Sequence, residues 1–274
     1  MSTNPLQQYF RRPALYLKLP SQGEGYPENS IEFPENGELA IFPMTAIDEI
    51  TARTPDALFN GVAVIEIIKS CVPSIKDPWK ILQIDLDPIL LAIKMATNGS
   101  TMEFDTVCPS CKEPNKYDIN LTQLLNEYKP GEYNAPLKLD QLSLKFCPLN
   151  YKQINETSVI QFEIQRALRI IQDMPDGDER NTKSTEVLRK MNQVTMDIIV
   201  ETIEYISSPN GIVLDKNFIK EFLENVDVKT FEKIKDISLE LKKSTDTKPL
   251  KFKCINCSHE YEQPFNVNVS DFFG

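Results

Sequence analysis

Hydrophobic positions along this chain switch between two periods, and each switch marks a predicted element. Residues 15–19 and 38–42 are short extended runs on either side of the glycine-containing stretch 21–27, so the pattern predicts two strands and an intervening loop. Helical signals begin at Thr45, which pairs with Asp48 three residues later as a capping box. Thr54-Pro55 sets a cap before a proline at a first helical position and opens a predicted helix over 55–72. Ile65, Ile68 and Val72 share one face of it, and Gly61 is a candidate break. Asp77-Pro78 and Asp87-Pro88 repeat the cap-proline signal, the second opening a helix through Leu90, Ile93 and Met95 that stops at Asn98-Gly99.

Beyond residue 121 the pattern predicts one or two helical turns, a loop over 130–136, and a hairpin of 137–139 with 142–146. Helical spacing returns at 150–172 through Ile154, Val159, Phe162, Ile164, Leu168 and Ile171, with 155–158 a candidate unwound stretch. Residues 174–184 are polar and read as a loop and candidate local disorder, followed by a helix over 185–203. Residues 203–206 and 212–214 read as strands around the turn at Asn210-Gly211. Asp215 and Asp227 each cap a further amphipathic helix, whose apolar stripes read as core or partner faces. The expected fold class is α+β, mostly helical with short β-hairpins.

Two Cys-x-x-Cys pairs, Cys108/Cys111 and Cys254/Cys257, interrupt this pattern far apart in the chain. Each is preceded by a similar run, Met102-Glu103-Phe104 or Leu250-Lys251-Phe252. Each is followed by alternating residues, Tyr117, Ile119 and Leu121 or Tyr261, Phe265, Val267 and Val269. Both copies therefore read as hairpins folded around a knuckle. Two such knuckles supply the four thiolates of a tetrahedral structural Zn²⁺ site, and the expectation is one four-cysteine zinc ribbon built from distant halves. A redox motif, a disulfide pair, two separate sites and a lost metal are the other readings of the same spacing. His259 is a competing ligand candidate or a residue on a solvated turn, and Cys71 and Cys147 read as small buried hydrophobes. The domain division that follows is an N-terminal extended and helical part over 1–100, a composite ribbon of 101–121 plus 248–270, and a helical domain over 122–247 inserted between its halves.

Composition narrows the function. The net charge of −10 opposes general nucleic-acid binding, which needs concentrated Lys and Arg. The polar N-terminus predicts no secretory signal, and residues 61–72, which carry Glu66 and Lys69, fall far short of a membrane span. An intracellular, soluble protein is expected. Nine glycines form no phosphate loop, and neither a Gly-x-Ser-x-Gly elbow nor a His-x-x-x-His pair occurs. With one histidine and carboxylates scattered on predicted helix surfaces, no catalytic residue, cofactor-binding residue or small-molecule substrate is expected.

The order of four segments carries a resemblance. They are Leu19-Pro20-Ser21-Gln22-Gly23-Glu24-Gly25-Tyr26-Pro27, then Gly37 through Pro43-Met44-Thr45-Ala46, then Lys69-Ser70-Cys71-Val72, then Phe104 through Cys108-Pro109-Ser110-Cys111. In this order they resemble the baseplate hub proteins of T4-type contractile-tailed bacteriophages, most closely over 17–121 and less over 130–200. One departure is Ala46-Ile47-Asp48-Glu49-Ile50, more apolar than the family's charged stretch. The resemblance implies a structural component of the baseplate central hub, made in the host cytoplasm and working through contacts with other hub and tail proteins in the virion tail. It implies no catalysis. An assembly chaperone absent from the virion and a zinc-ribbon module binding nucleic acid are the alternatives. Phe272-Phe273 at the end of the chain is either a docking plug or packs back on the ribbon.

Overall fold

The computed structural model describes residues 4–54, 61–265 and 267. They divide into two compact units, one formed by residues up to Pro130 together with those from Thr245 onward, the other by Gly131–Ser244. The helix expected from Thr54-Pro55 begins outside the described residues, as does Phe272-Phe273.

In the first unit, β1 (Leu15–Lys18) and β2 (Glu38–Ile41) pair antiparallel with Leu17 opposite Leu39. Their alternate residues Leu17, Leu39 and Ile41 are buried, as a half-buried strand requires. Helix α1 (Ala46–Ala52) opens on the expected capping box of Thr45 and Asp48. Helix α2 (Val62–Cys71) starts after Gly61, whose φ of +71° is left-handed and favours glycine. Six of its residues, Ala63, Val64, Ile65, Ile67, Ile68 and Cys71, are buried, because a helix apolar around most of its girth belongs inside. It packs between α1 and α3 (Gln83–Asn98), which also touches β1 and β2.

Helix α3 corrects one sequence expectation. It starts at Gln83, not at the Asp87-Pro88 signal, and Pro88 lies inside it. Packing outweighs the cap-proline signal: Ile84 and Asp85 in the first turn are buried, and the Leu82 carbonyl accepts from the amides of Asp85 and Leu86. The antiparallel hairpin β3 (Thr101–Val107) and β4 (Pro114–Asn120) follows, and Asn120 caps the short helix α4 (Leu121–Leu125) with its side chain.

The second unit is a four-stranded antiparallel sheet with helices. Its strands β5 (Leu137–Leu139), β6 (Leu142–Phe146), β7 (Ile203–Ser208) and β8 (Gly211–Val213) lie in that order. Register puts Leu137, Leu144, Ile206 and Val213 in one row across the sheet and Lys138, Ser143, Ser207 and Ile212 in the next. Successive residues face opposite sides, so one face is apolar and the other largely polar. Between β6 and β7 stand α5 (Tyr151–Gln172) and α6 (Asp178–Thr202), and after β8 come α7 (Lys216–Asn225) and α8 (Val228–Thr245). Leu144, Phe146, Ile199, Val200, Ile203, Ile206, Ile219, Leu223 and Ile234 form the core.

Two expectations fail in the α5–α6 hairpin. Residues 155–158 are helical without interruption, and the polar loop expected over 174–184 is mostly the first turns of α6. Those turns carry no apolar stripe. Asp178 and Glu179 sit at the N-terminal end, Arg180 pairs with Asp176, and Lys183 bonds Glu179 at 2.8 Å. Favourable charge and i,i+4 pairs sustain the helix where periodicity is silent. At its other end the Lys216 ammonium donates to the carbonyls of Val200, Glu201 and Ile203. Among the described residues no helix is long and apolar enough to cross a membrane.

The chain then re-enters the first unit and forms a second antiparallel hairpin, β9 (Leu250–Lys253) with β10 (Glu260–Gln263).

Candidate metal centre

Both hairpins of the first unit close in the same loop. In the first, the Cys108 amide donates to the Glu113 carbonyl at 3.0 Å and the Lys112 amide to the Cys108 carbonyl at 3.0 Å. In the second, the Cys254 amide donates to the His259 carbonyl at 2.9 Å and the Ser258 amide to the Cys254 carbonyl at 3.0 Å. The residue after each second cysteine is left-handed, Lys112 at φ +62° and Ser258 at φ +59°. Neither position is glycine, so each loop holds an uncommon backbone state for a non-glycine residue.

Aromatic packing sets the hairpins against one another. Phe104 stacks on Phe252 with centroids 5.5 Å apart, Tyr117 lies 4.6 Å from Phe252, and Phe265 lies 6.1 Å from Phe104. The Tyr117 hydroxyl donates to the Lys253 carbonyl at 2.9 Å, and the Thr106 hydroxyl donates to the Gln263 side chain.

This packing brings the Sγ atoms of Cys108, Cys111, Cys254 and Cys257 within 4.8 Å of one another. Cys108 and Cys257 are 3.7 Å apart, and Cys111 and Cys254 are 3.6 Å apart, each pair joining one hairpin to the other. A tetrahedron with metal–sulfur arms of about 2.3 Å has edges of roughly 3.8 Å, so the donor set fits such an ion. A disulfide needs sulfurs about 2.05 Å apart, and all six cysteines are free.

Electrostatics point the same way. The Cys254 thiol is pulled down to about 6, first by the Cys257 amide and then, against burial, by the Asn256 amide and the sulfurs of Cys111 and Cys257. At Cys111 the Glu113 amide pulls downward, but burial and bonds to the other three sulfurs prevail and push the thiol up to about 12. Four thiolates require a cation between them.

Cys108 and Cys254 are buried, Cys111 is half-buried and Cys257 is exposed. His259 is exposed and stacked on Tyr261, outside the four-sulfur cluster. Cys71 is buried in α2, where burial pushes its thiol up to about 11, and Cys147 is half-buried with its thiol bonded to the Glu201 carbonyl. Asp85 is buried as a structural acceptor, while burial, and then the charge of Asp246, push Asp87 up to about 6. Asn115, a buried residue that bonds to both knuckles, stands outside the Cys-x-x-Cys spacing. The signal for it is an asymmetry between the repeats, Pro109 in one and Ile255 in the other.

A family model described as T4 bacteriophage base plate protein matches residues 30–274. No curated protein and no solved structure matches the chain.

Proposed function

Because the chain belongs to the T4 bacteriophage base plate protein family, we propose that it is a structural subunit of the baseplate central hub that acts in tail assembly through protein–protein contacts. Family membership alone makes it a phage baseplate protein, with the virion tail as its location and tail proteins as its partners. The finer reading, hub subunit rather than another baseplate part, draws on the ordered motifs between Leu19 and Cys111. Synthesis and assembly take place in the host cytoplasm.

The observation that carries a structural over a catalytic role is the closed donor set. Four thiols grouped within 4.8 Å fill the coordination sphere of a tetrahedral ion and leave no position for a substrate. Sulfur-only tetrahedral sites suit Zn²⁺, and Cys108, Cys111, Cys254 and Cys257 are the residues that would hold it. When bound, the ion would offset half of the thiolate charge, and the four cysteines holding it would fasten β3–β4 to β9–β10. In this reading the two hairpins form a composite zinc ribbon, the intervening helical segment is an insertion between its halves, and the protein presents rigid faces to partners without catalysis.

Mass spectrometry of purified virions tests the assignment. A hub subunit is recovered at a constant ratio to the other baseplate proteins. Its absence from intact particles, with abundance in infected cells, overturns the reading in favour of a transient assembly chaperone. The acidic charge likewise predicts no DNA binding at physiological salt.

A further inference from the structure

The two knuckles repeat one another at every backbone bond described above, yet they differ immediately after the leading cysteine. In the first that residue is Pro109, which has no N–H; in the second it is Ile255, which has one. The next two amides of the second knuckle, those of Asn256 and Cys257, are directed at the Cys254 sulfur. The Ile255 amide is left over. It donates at 3.0 Å to Oδ1 of Asn115, a residue of the opposite hairpin. The Nδ2 of Asn115 donates at 2.9 Å to the Glu113 carbonyl, which also accepts the Cys108 amide that closes the first knuckle. Asn115 is 4% exposed, so its own amide group is held by these two bonds. At the matching place in the second hairpin stands Tyr261.

We infer that Asn115 is the positioning residue of the metal centre: one buried amide side chain, bonded to the backbone of both knuckles, fixes how the Cys108/Cys111 pair meets the Cys254/Cys257 pair. The inference rests on reading the tetrad as a metal site. Its physical content is that a half-site can be well formed and still present its two sulfurs at the wrong angle to the other half. Asn115 removes that freedom before the ion arrives, as groups that orient metal ligands do. Proline in the first knuckle and Asn115 for the second are two solutions to one problem, an amide that the loop itself cannot satisfy.

The test uses the full chain stripped of metal and titrated with Zn²⁺ against a chromophoric competitor, and with Co²⁺ for its thiolate charge-transfer bands. Asn115→Ala should weaken Zn²⁺ binding about 10-fold or more, within the range of 10- to 100-fold typical of ligand-orienting groups. At saturation it should still give the Co²⁺ spectrum of four thiolates. Ile255→Pro removes the amide that Asn115 serves, as Pro109 does in the first knuckle. The double variant Asn115→Ala/Ile255→Pro has no orphaned amide but still lacks the tie between the knuckles, so it should bind Zn²⁺ no better than Asn115→Ala. Unchanged affinity in Asn115→Ala, or recovery of the parent affinity in the double variant, overturns the inference. If Asn115→Ala does not fold, Ile255→Pro alone, which removes only the bond from Asn115 to the second knuckle, takes its place: weaker Zn²⁺ binding supports the role and unchanged affinity overturns it. An unsubstituted protein that binds no Zn²⁺ overturns the metal reading itself, an outcome distinct from all of these.

Discussion

Stripping the metal with a strong chelator should unfold the ribbon of the first unit and leave the core of the second unit folded. Structural Zn²⁺ contributes roughly 10–16 kcal/mol of apparent binding free energy in zinc-finger peptides, as much as the roughly 5–15 kcal/mol that holds a whole domain folded. Without the ion, β9 and β10 form a hairpin of four-residue strands, a size that is marginal in water. Their remaining ties are the Phe104, Tyr117, Phe252 and Tyr261 rings and the bonds from Tyr117, Thr106 and Asn115. Hydrogen exchange after chelation should show lost protection over 101–120 and 250–263, while amides of β6 and β7 stay protected around Phe146 and Ile203. Cys254→Ser should give the same exchange map without chelator. Protection across the ribbon that survives metal removal contradicts the account.

Asp85→Ala should destabilise the first unit by about 3 kcal/mol, the cost of leaving several buried donors unpaired. Asp85 is fully buried, accepts from the Ser21 amide at 3.0 Å and from the Tyr26 hydroxyl at 2.8 Å, and the Tyr26 oxygen in turn accepts the Leu82 amide at 3.1 Å. The carboxylate thus ties the loop after β1 to the start of α3. Burial raises its pKa above the ordinary carboxylate value, opposed by bonds from the Ser21 side chain and amide and from Tyr26. The folded protein therefore holds this proton more tightly than the unfolded chain. Its contribution to stability is fully present below about pH 4 and is lost as pH rises through the folded-state value. Asp85→Asn has no such loss, so its cost relative to the parent should shrink as pH rises from about 4 to 7. Denaturant midpoints of the three proteins across that range check both statements. An alanine variant within about 1 kcal/mol of the parent, or a cost that grows with pH, contradicts them.

The elements legible in the sequence are those whose signal is local. The capping box at Thr45, the side-chain caps at Asp77 (before the 3-10 turn Pro78–Lys80), Asp215 and Asp227, and the hairpin turn at Asn210-Gly211 all lie at the ends of described elements. Asn150 forms its box with Gln153, a pairing that the apolar spacing alone does not reveal. The failures have two causes. At Asp87-Pro88 a local cap signal gives way to burial of Ile84 and Asp85, a tertiary demand invisible in a short window. At 178–184 the helix is held by charge pairs instead of an apolar stripe, so a reading based on hydrophobic period passes it by.

The cysteine tetrad was legible as residue types and spacing, because two matching knuckles in matching strand contexts are a specific pattern. What spacing could not reveal is how distant halves are brought together, since that involves Phe104 and Tyr117 against Phe252 and the bonds of Tyr117, Thr106 and Asn115 across the two hairpins. Asp85 shows the converse. Two residues before the Asp87-Pro88 cap signal it reads as part of a linker turn, yet it is the buried acceptor on which the Ser21–Tyr26 loop closes.

Whether two distant hairpins share one structural ion is decided by the metal content of protein purified without chelator. One equivalent of zinc per chain is expected, lost when either Cys108 or Cys254 is replaced by serine. A zinc-free protein whose ribbon is folded, or full zinc content retained after either substitution, would contradict a shared ion.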